Sequence, residues 1–261
     1  MKGNDRRPAM PAIKEEIEGQ LEGRNALTEA LKSGRTIDKV FVAAGDTDKG
    51  LQRLVAQAKE AGAVVVPVDR RKLDAMSTTR SHQGVIALAA ATVYYTIDDI
   101  LQEAADRGEA PLIVVCDELS DPHNLGAILR TAECAGAHGV IIPKRRSVGL
   151  TATVSKASAG AVEYMKVAKV TNINSALTEL KEKGVWVFGT AAEGSVPMYR
   201  ADLTVPAAIV IGSEGDGMSR LVRQNCDVTV HIPMKGKISS LNASVAASVL
   251  LYEAVRQRLS E

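Results

Sequence analysis

A chain of 261 residues, 46% of them hydrophobic, with 32 Lys and Arg against 31 Asp and Glu, is long enough for a real core in one or two domains. No long apolar run is present, which excludes a membrane span, and Met1 to Ala12 carry Arg6 and Arg7 with no apolar segment behind them, so the expectation is a cytoplasmic protein without a signal peptide. Cys116, Cys134 and Cys226 lack C-x-x-C spacing or a nearby His pair, so they read as buried free thiols, and no metal is expected.

Charge is spread almost evenly. Residues 1 to 90 hold 15 Lys and Arg against 12 Asp and Glu, and the remainder holds 17 against 19, a difference too small to establish nucleic-acid binding. Residues 1 to 13 are polar and proline-bearing and are expected to form a disordered tail.

In chain order, Leu21 to Leu31 reads as a helix, Asp38 to Ala43 as a strand ending at Gly45, and Leu51 to Ala61 as an amphipathic helix stopped by Gly62. Val64 to Val68 is a strand, Arg70 to Met76 a short helix, and Gly84 to Ala90 another strand. These elements make one α/β domain over residues 14 to 91. Between its last helix and last strand, Ser77 to Gly84 is a polar loop with donors suited to phosphates and bases. His82 within it reads equally as a surface histidine or a ligand contact.

Residues 92 to 110 read as a linker carrying a helix, and residues 111 to 261 as a second α/β domain. Leu112 to Cys116 is a buried, parallel-type strand. After the turn Asp117 to Asn124, Leu125 to Ala135 is a helix stopped by Gly136, with small residues that allow a close neighbour. Asn124 can cap its first turn, and Arg130 is either a phosphate clamp reaching back toward the loop or a surface ion-pair partner. Gly139 to Pro143 and Gly184 to Gly189 are further strands, the latter running into Thr190.

Two strand-to-loop switches near the C-terminus carry the chemistry. Pro206 to Ile211 is an apolar run that empties into Gly212-Ser-Glu-Gly-Asp-Gly217, and Val228 to Pro233 empties into Lys235 to Ser240. Open α/β sheets bind ligands at such carboxyl ends. Glu214 and Asp216 would repel a phosphate, and the spacing G-x-x-G-x-G is not the dinucleotide fingerprint, so a neutral or cationic ligand suits the loop. The alternative is a pair of ordinary turns. Asn242 sits at an N-cap position before the helix from Ala243 to Leu259.

Asp121-Pro-His-Asn-Leu-Gly-Ala-Ile-Leu-Arg-Thr-Ala132, Ile209 to Gly215, and Ile232-Pro-Met with Ser239-Ser-Leu-Asn-Ala-Ser-Val-Ala246 resemble the three ordered motifs of the SpoU family. These are RNA ribose 2′-O-methyltransferases of the SPOUT class. The first 90 residues, with Ser81-His-Gln-Gly-Val-Ile86, resemble the ribosomal-protein-like RNA-binding domain of the ribosomal RNA branch, whose members methylate a guanosine of the large subunit. The resemblance implies a trefoil-knotted catalytic domain, S-adenosylmethionine as cofactor, RNA as substrate, and a homodimer through the knot helices. It also implies that Gly212, Ile232 and Leu241, with Thr190, Gly215 and Ala243, line the cofactor pocket, and that Asn124, Arg130, Glu214, Ser240 and Asn242 form the polar catalytic set. A guanidinium stays protonated in proteins, so Arg130 is expected to clamp a phosphate and stabilise alkoxide charge rather than act as a base.

Other classes make different demands on the same residues. An oxidoreductase would need G-x-G-x-x-G after its first strand, where Asp117-Glu-Leu-Ser stands instead. An idle RNA-binding assembly factor would lack some of the polar motif residues, and none is missing. A transfer-RNA or antibiotic-resistance methylase of the same family would carry the same motifs.

Overall fold

The computed structural model describes residues 19–32, 34–90, 93–192, 196–213, 215 and 217–259. The expected tail over residues 1 to 13 lies outside them.

The first part of the chain builds a four-stranded sheet from β1 (Gln20–Glu22), β2 (Ile37–Ala43), β3 (Val64–Val68) and β4 (Val85–Ala89), in the order β1-β4-β2-β3. Helices α1 (Arg24–Lys32), α2 (Lys49–Glu60) and α3 (Arg70–Met76) pack on it. Asp48 and Asp69 cap α2 and α3 through their side chains. The expected helix from Leu21 begins three residues later, because Gln20 to Glu22 pair antiparallel with Ile86 to Leu88 instead.

Helix α4 (Ile97–Arg107), closed at Thr96 and Asp99 by a reciprocal capping box, leads into a seven-stranded sheet. Its strands are β5 (Leu112–Cys116), β6 (Gly139–Pro143), β7 (Val167–Val170), β8 (Trp186–Thr190), the short β9 (Val196–Pro197), β10 (Ala207–Ile211) and β11 (Val228–His231). All pair parallel, in the order β7-β6-β5-β10-β8-β11-β9. The parallel sheet and the helices covering it are the α/β architecture expected from the motifs.

Alternation along β5 and β10 explains why both read as unbroken apolar runs. Leu112, Val114 and Cys116, with Ala207, Ile209 and Ile211, face a core shared with α5 (Pro122–Cys134), α6 (Ala152–Ala157) and α9 (Ala243–Arg258). Ile113 and Val115, with Ala208 and Val210, face a second core shared with α4, α7 (Ile173–Glu182) and α8 (Arg220–Asn225). Each such side chain taken fully out of water contributes about 1.5–3 kcal/mol. Arg258 pins the end of α9 beneath the sheet, donating to the carbonyls of Ala110, Pro111, Leu203 and Val205.

Helix α5 starts on Asp121, whose side chain accepts from His123 N–H at 2.9 Å, with Pro122 at the first helical position. Asn124 therefore does not cap the helix. It lies inside the first turn and is buried, so its amide is available to a neighbouring element. At Gly126 an added Cβ would stand 2.4 Å from Ala157 Cβ, so α5 and α6 approach as only a glycine allows.

The two sheets meet through a buried polar cluster. Asp38 accepts from the Tyr94 hydroxyl at 2.6 Å and pairs with Lys169, and the Tyr94 hydroxyl in turn accepts from Leu150 N–H at 2.8 Å. Burial pushes the Lys169 ammonium below the usual lysine range and the Tyr94 hydroxyl upward. Removing one member of such a pair leaves an uncompensated buried charge. Asp38→Ala should therefore lower stability by about 3–5 kcal/mol in urea unfolding, and Asp38→Leu combined with Lys169→Met should recover most of it. An Asp38→Ala protein as stable as wild type would show that the cluster does not hold the seam.

Candidate functional site

The carboxyl ends of β8, β10 and β11 open onto one cavity of about 540 Å³. Its upper wall is the glycine-rich loop after β10. Ser213 and Gly217 exchange N–H to carbonyl bonds of 3.0 Å each, folding the loop into a tight hairpin with Gly217 at φ +67°. A Cβ on Gly212 would lie 2.2 Å from both Gly217 C and Met218 N. The sequence assigned Gly212 to close approach of a ligand; in the structure the loop's own backbone fills that space.

Asp117 anchors this loop from the end of β5. Its N–H donates to Ile211 O at 2.8 Å, and its side chain accepts from Ser219 N–H at 2.8 Å. Sequence reasoning missed it. The available signal was a carboxylate directly after an apolar strand, a position that burial makes costly unless a backbone donor meets it.

The lower wall is the segment between β11 and α9, where Asn242 caps α9 by accepting from Ser244 N–H at 2.9 Å and Val245 N–H at 3.4 Å. Thr190, Gly212, Gly215, Ile232, Leu241 and Ala243 all line the one cavity, and Ser240 lines it as well. Met218, at the end of the glycine-rich stretch, and Arg223, from a segment with no signal in the sequence, line it too.

Asn242 Nδ2 donates to Asn124 Oδ1 at 3.0 Å, joining the start of α9 to the first turn of α5. Asn124 lines a second cavity of about 530 Å³, which shares Ser213 and Gly215 with the first. Glu118, Ser120, Asp121 and Arg146 complete its polar rim. Glu118 and Arg146 are both non-glycine residues with left-handed backbones, at φ 59° and 55°, and they pair at 3.0 Å. Such conformations cost about 1–3 kcal/mol each and persist where the surroundings impose them.

The structure does not bring the whole expected polar set together. Arg130 lies on the exposed face of α5 and lines neither cavity, and Glu214 lies outside the described residues. Cys116 and Cys226 are withdrawn from water and pushed up to about 12 by burial, Cys116 fully and Cys226 in part. Cys134 corrects the expectation of three buried thiols, because the last residue of α5 is exposed.

In the first sheet, the loop from Ser77 is held by Glu22, which accepts from the hydroxyls and N–H groups of Thr78 and Thr79 and from Ser77 Oγ. Burial raises the Glu22 carboxyl, but these hydrogen bonds outweigh it and hold the group well below the usual carboxylate range. His82 is neither a surface histidine nor a free ligand. It is buried, contacts Asp74 at 2.9 Å and accepts from Gly84 N–H at 3.1 Å. Among the described residues no helix is long and apolar enough to cross a membrane, and no group of three or more His, Cys, Asp or Glu could hold a metal ion.

Comparison with known proteins follows the same division. The profile described as "SpoU rRNA Methylase family" matches residues 111–252, and that described as "RNA 2'-O ribose methyltransferase substrate binding" matches residues 20–95. The chain is 49% identical over 236 residues to a putative TrmH family tRNA/rRNA methyltransferase, YacO, of Bacillus subtilis (strain 168), covering 90% of this chain and 94% of that one. It is 45% identical over 238 residues to the 23S rRNA (guanosine-2'-O-)-methyltransferase RlmB of Ralstonia nicotianae, covering 90% and 94%. The crystal structure of the SpoU methyltransferase AviRb from Streptomyces viridochromogenes, solved in complex with AdoMet, superposes with a TM-score of 0.60 at 26% identity, over 93% of this chain and 91% of that one.

The hairpin geometry makes a prediction about Gly212. Gly212→Ala should force the loop apart and destabilise the fold by about 1–3 kcal/mol, as overpacking does elsewhere. Thermal unfolding checks this, and an unchanged melting temperature would show that the backbone approach at Gly212 is dispensable.

Proposed function

The chain belongs to the SpoU family of S-adenosylmethionine-dependent RNA 2′-O-methyltransferases, and from that premise we propose that it methylates a guanosine of large-subunit ribosomal RNA. The observation that carries the reading is a pair of adjoining cavities that share Ser213 and Gly215 and are joined by the Asn124–Asn242 contact. Transfer between two bound molecules needs two such sites side by side. The relative named for guanosine 2′-O-methylation of 23S rRNA, matched along nearly its whole length, favours that target over transfer RNA.

The first cavity fits the cofactor. Its size lies within the usual range for small ligands, Ile232, Leu241 and Ala243 give apolar surface for an adenine ring, and Thr190 gives a hydroxyl. Arg223 supplies a cation for a carboxylate. When bound, S-adenosylmethionine supplies a methyl group on a positively charged sulfur.

The chain's own residues then position the acceptor. Asn124 presents a neutral amide in the second cavity, held in place by Asn242, and Ser240 adds a hydroxyl from the lower wall of the first. Arg130, exposed, permanently charged and lining neither cavity of its own chain, clamps an RNA phosphate and stabilises charge developing on the ribose oxygen in the site that a second copy completes. The proton passes to a phosphate oxygen or water. Glu214 orients the glycine-rich loop and its substrate. The exposed apolar side chains Val245 and Tyr252 on α9 support pairing with a second copy that completes each site, and the threading of the last strand, loop and helix through an earlier loop is part of the same proposal.

Mapping of ribose methylation in ribosomal RNA from a strain lacking the protein tests the target. One large-subunit guanosine should lose its mark, and loss of a mark on transfer RNA alone would overturn the assignment. The role of Arg130 has a separate test in single-turnover kinetics. Rates should fall in the order wild type, Arg130→Lys, Arg130→Ala, with the alanine variant down about 10²–10³-fold and cofactor affinity unchanged. A lysine variant whose rate climbs steeply toward pH of about 10 would identify a base at this position instead.

A further inference from the structure

We propose that Glu118 reads the base of the target nucleotide, accepting from N1–H and the exocyclic N2–H of guanine, while Arg146 holds a flanking phosphate. The inference rests on the reading of the second cavity as the nucleotide site and adds to it how the base is chosen.

The polar groups of that cavity differ in what they have left to offer. Asp121 already accepts from His123 N–H at the start of α5, and Asn124 Oδ1 already accepts from Asn242. Glu118 is engaged through Oε1 by Arg146, whose side chain is 79% exposed and so held weakly. An exposed guanidinium can turn to an incoming phosphate, which is its stronger planar partner. Glu118 then presents a carboxylate with two oxygens to the cavity.

Two adjacent acceptors match one base edge only. Guanine places N1–H and N2–H side by side, so both oxygens receive a donor. Adenine and cytosine each offer a single amino donor beside a ring nitrogen lone pair, and uracil flanks its one N–H with carbonyls. With these bases the second carboxylate oxygen would face an acceptor, a repulsion that rejects them as well as a lost bond.

The backbone fixes this arrangement. Leu119 O accepts from Ser147 Oγ at 2.8 Å and from Val148 N–H at 2.9 Å, which locks the loop bearing Glu118 to the loop bearing Arg146. Both residues keep positive φ angles that glycine would adopt without strain. A charged side chain is therefore held at each position at a conformational cost, facing the same cavity.

The test uses the full-length protein with S-adenosylhomocysteine bound, titrated calorimetrically with the 3′,5′-bisphosphates of guanosine, inosine, adenosine and cytidine. Wild type should bind the guanosine compound about tenfold more tightly than the other three, inosine included because it lacks N2. Glu118→Gln should erase that preference, since its amide nitrogen faces one of the two donors. Glu118→Gly should erase it too, with a melting temperature no lower than wild type. Arg146→Gln should weaken all four compounds alike. Equal binding of the four by wild type, preference for adenosine or cytidine, retention of the guanosine preference in Glu118→Gln, or binding of none would overturn the proposal. Failure of the protein to bind S-adenosylmethionine in the same calorimeter would instead overturn the functional reading beneath it.

Discussion

The wall shared by both cavities depends on one buried aspartate, which holds the two ends of the glycine-rich loop. Asp117 bonds Ile211 O through its N–H and Ser219 N–H through its side chain, so the loop leaves β10 and enters α8 at fixed points. Hydrogen bonds to a charged acceptor contribute about 1.5–3 kcal/mol, and here one is spent on placing a wall rather than on the core. The internal Ser213–Gly217 bridge and the close approach at Gly212 then leave the hairpin no room to collapse into either cavity. Ser213 and Gly215 can serve both cavities because that wall is one hairpin thick.

The first sheet is tied to the same region by a continuous run of contacts. Asp38 holds the Tyr94 hydroxyl, which takes Leu150 N–H, and a Cβ on the neighbouring Gly149 would lie 2.6 Å from Asp38 Oδ2. Two residues earlier, Ser147 and Val148 bond Leu119 O beside Glu118. The domain matched to substrate binding therefore packs onto the loop that carries Arg146 through the Asp38–Tyr94–Leu150 hydrogen bonds, and onto β7 through the Asp38–Lys169 ion pair. A charge at Asp38 is expensive to bury, and its worth lies in fixing which residues of the two sheets face each other.

How far the sequence discloses this depends on where the cause of each feature lies. β3, β5, β6 and α3 appear at the expected residues, because apolar runs bounded by glycine, proline or a capping aspartate are local signals. β1 is a three-residue edge strand that exists only through pairing with β4, so Leu21 reads as helical. The stretch from residue 147 to 183, holding α6, β7 and α7, went unread, and in β7 the alternation is obscured by Lys169, which turns to Asp38. The residues that line the first cavity were named from the family motifs, which fall on two loops that follow two apolar strands. Asp117, Glu118 and Arg146 were not, since each acts through a partner at least 28 residues away, such as the Arg146–Glu118 pair.

The Asn124–Asn242 contact joins the starts of two helices. Asn242 is the cap of α9 and Asn124 lies in the first turn of α5, inside the Asp121 cap, so the positive end of the α9 dipole, capped by a neutral amide, points to this contact. On the proposed reading, the negative charge that grows on a ribose oxygen during methyl transfer forms in a field already set by the backbone, with nothing to reorganise at the moment of reaction. On the same reading no side chain at this contact acts as a strong base, and the permanently protonated Arg130 on the outer face of α5 serves as a clamp on the phosphate.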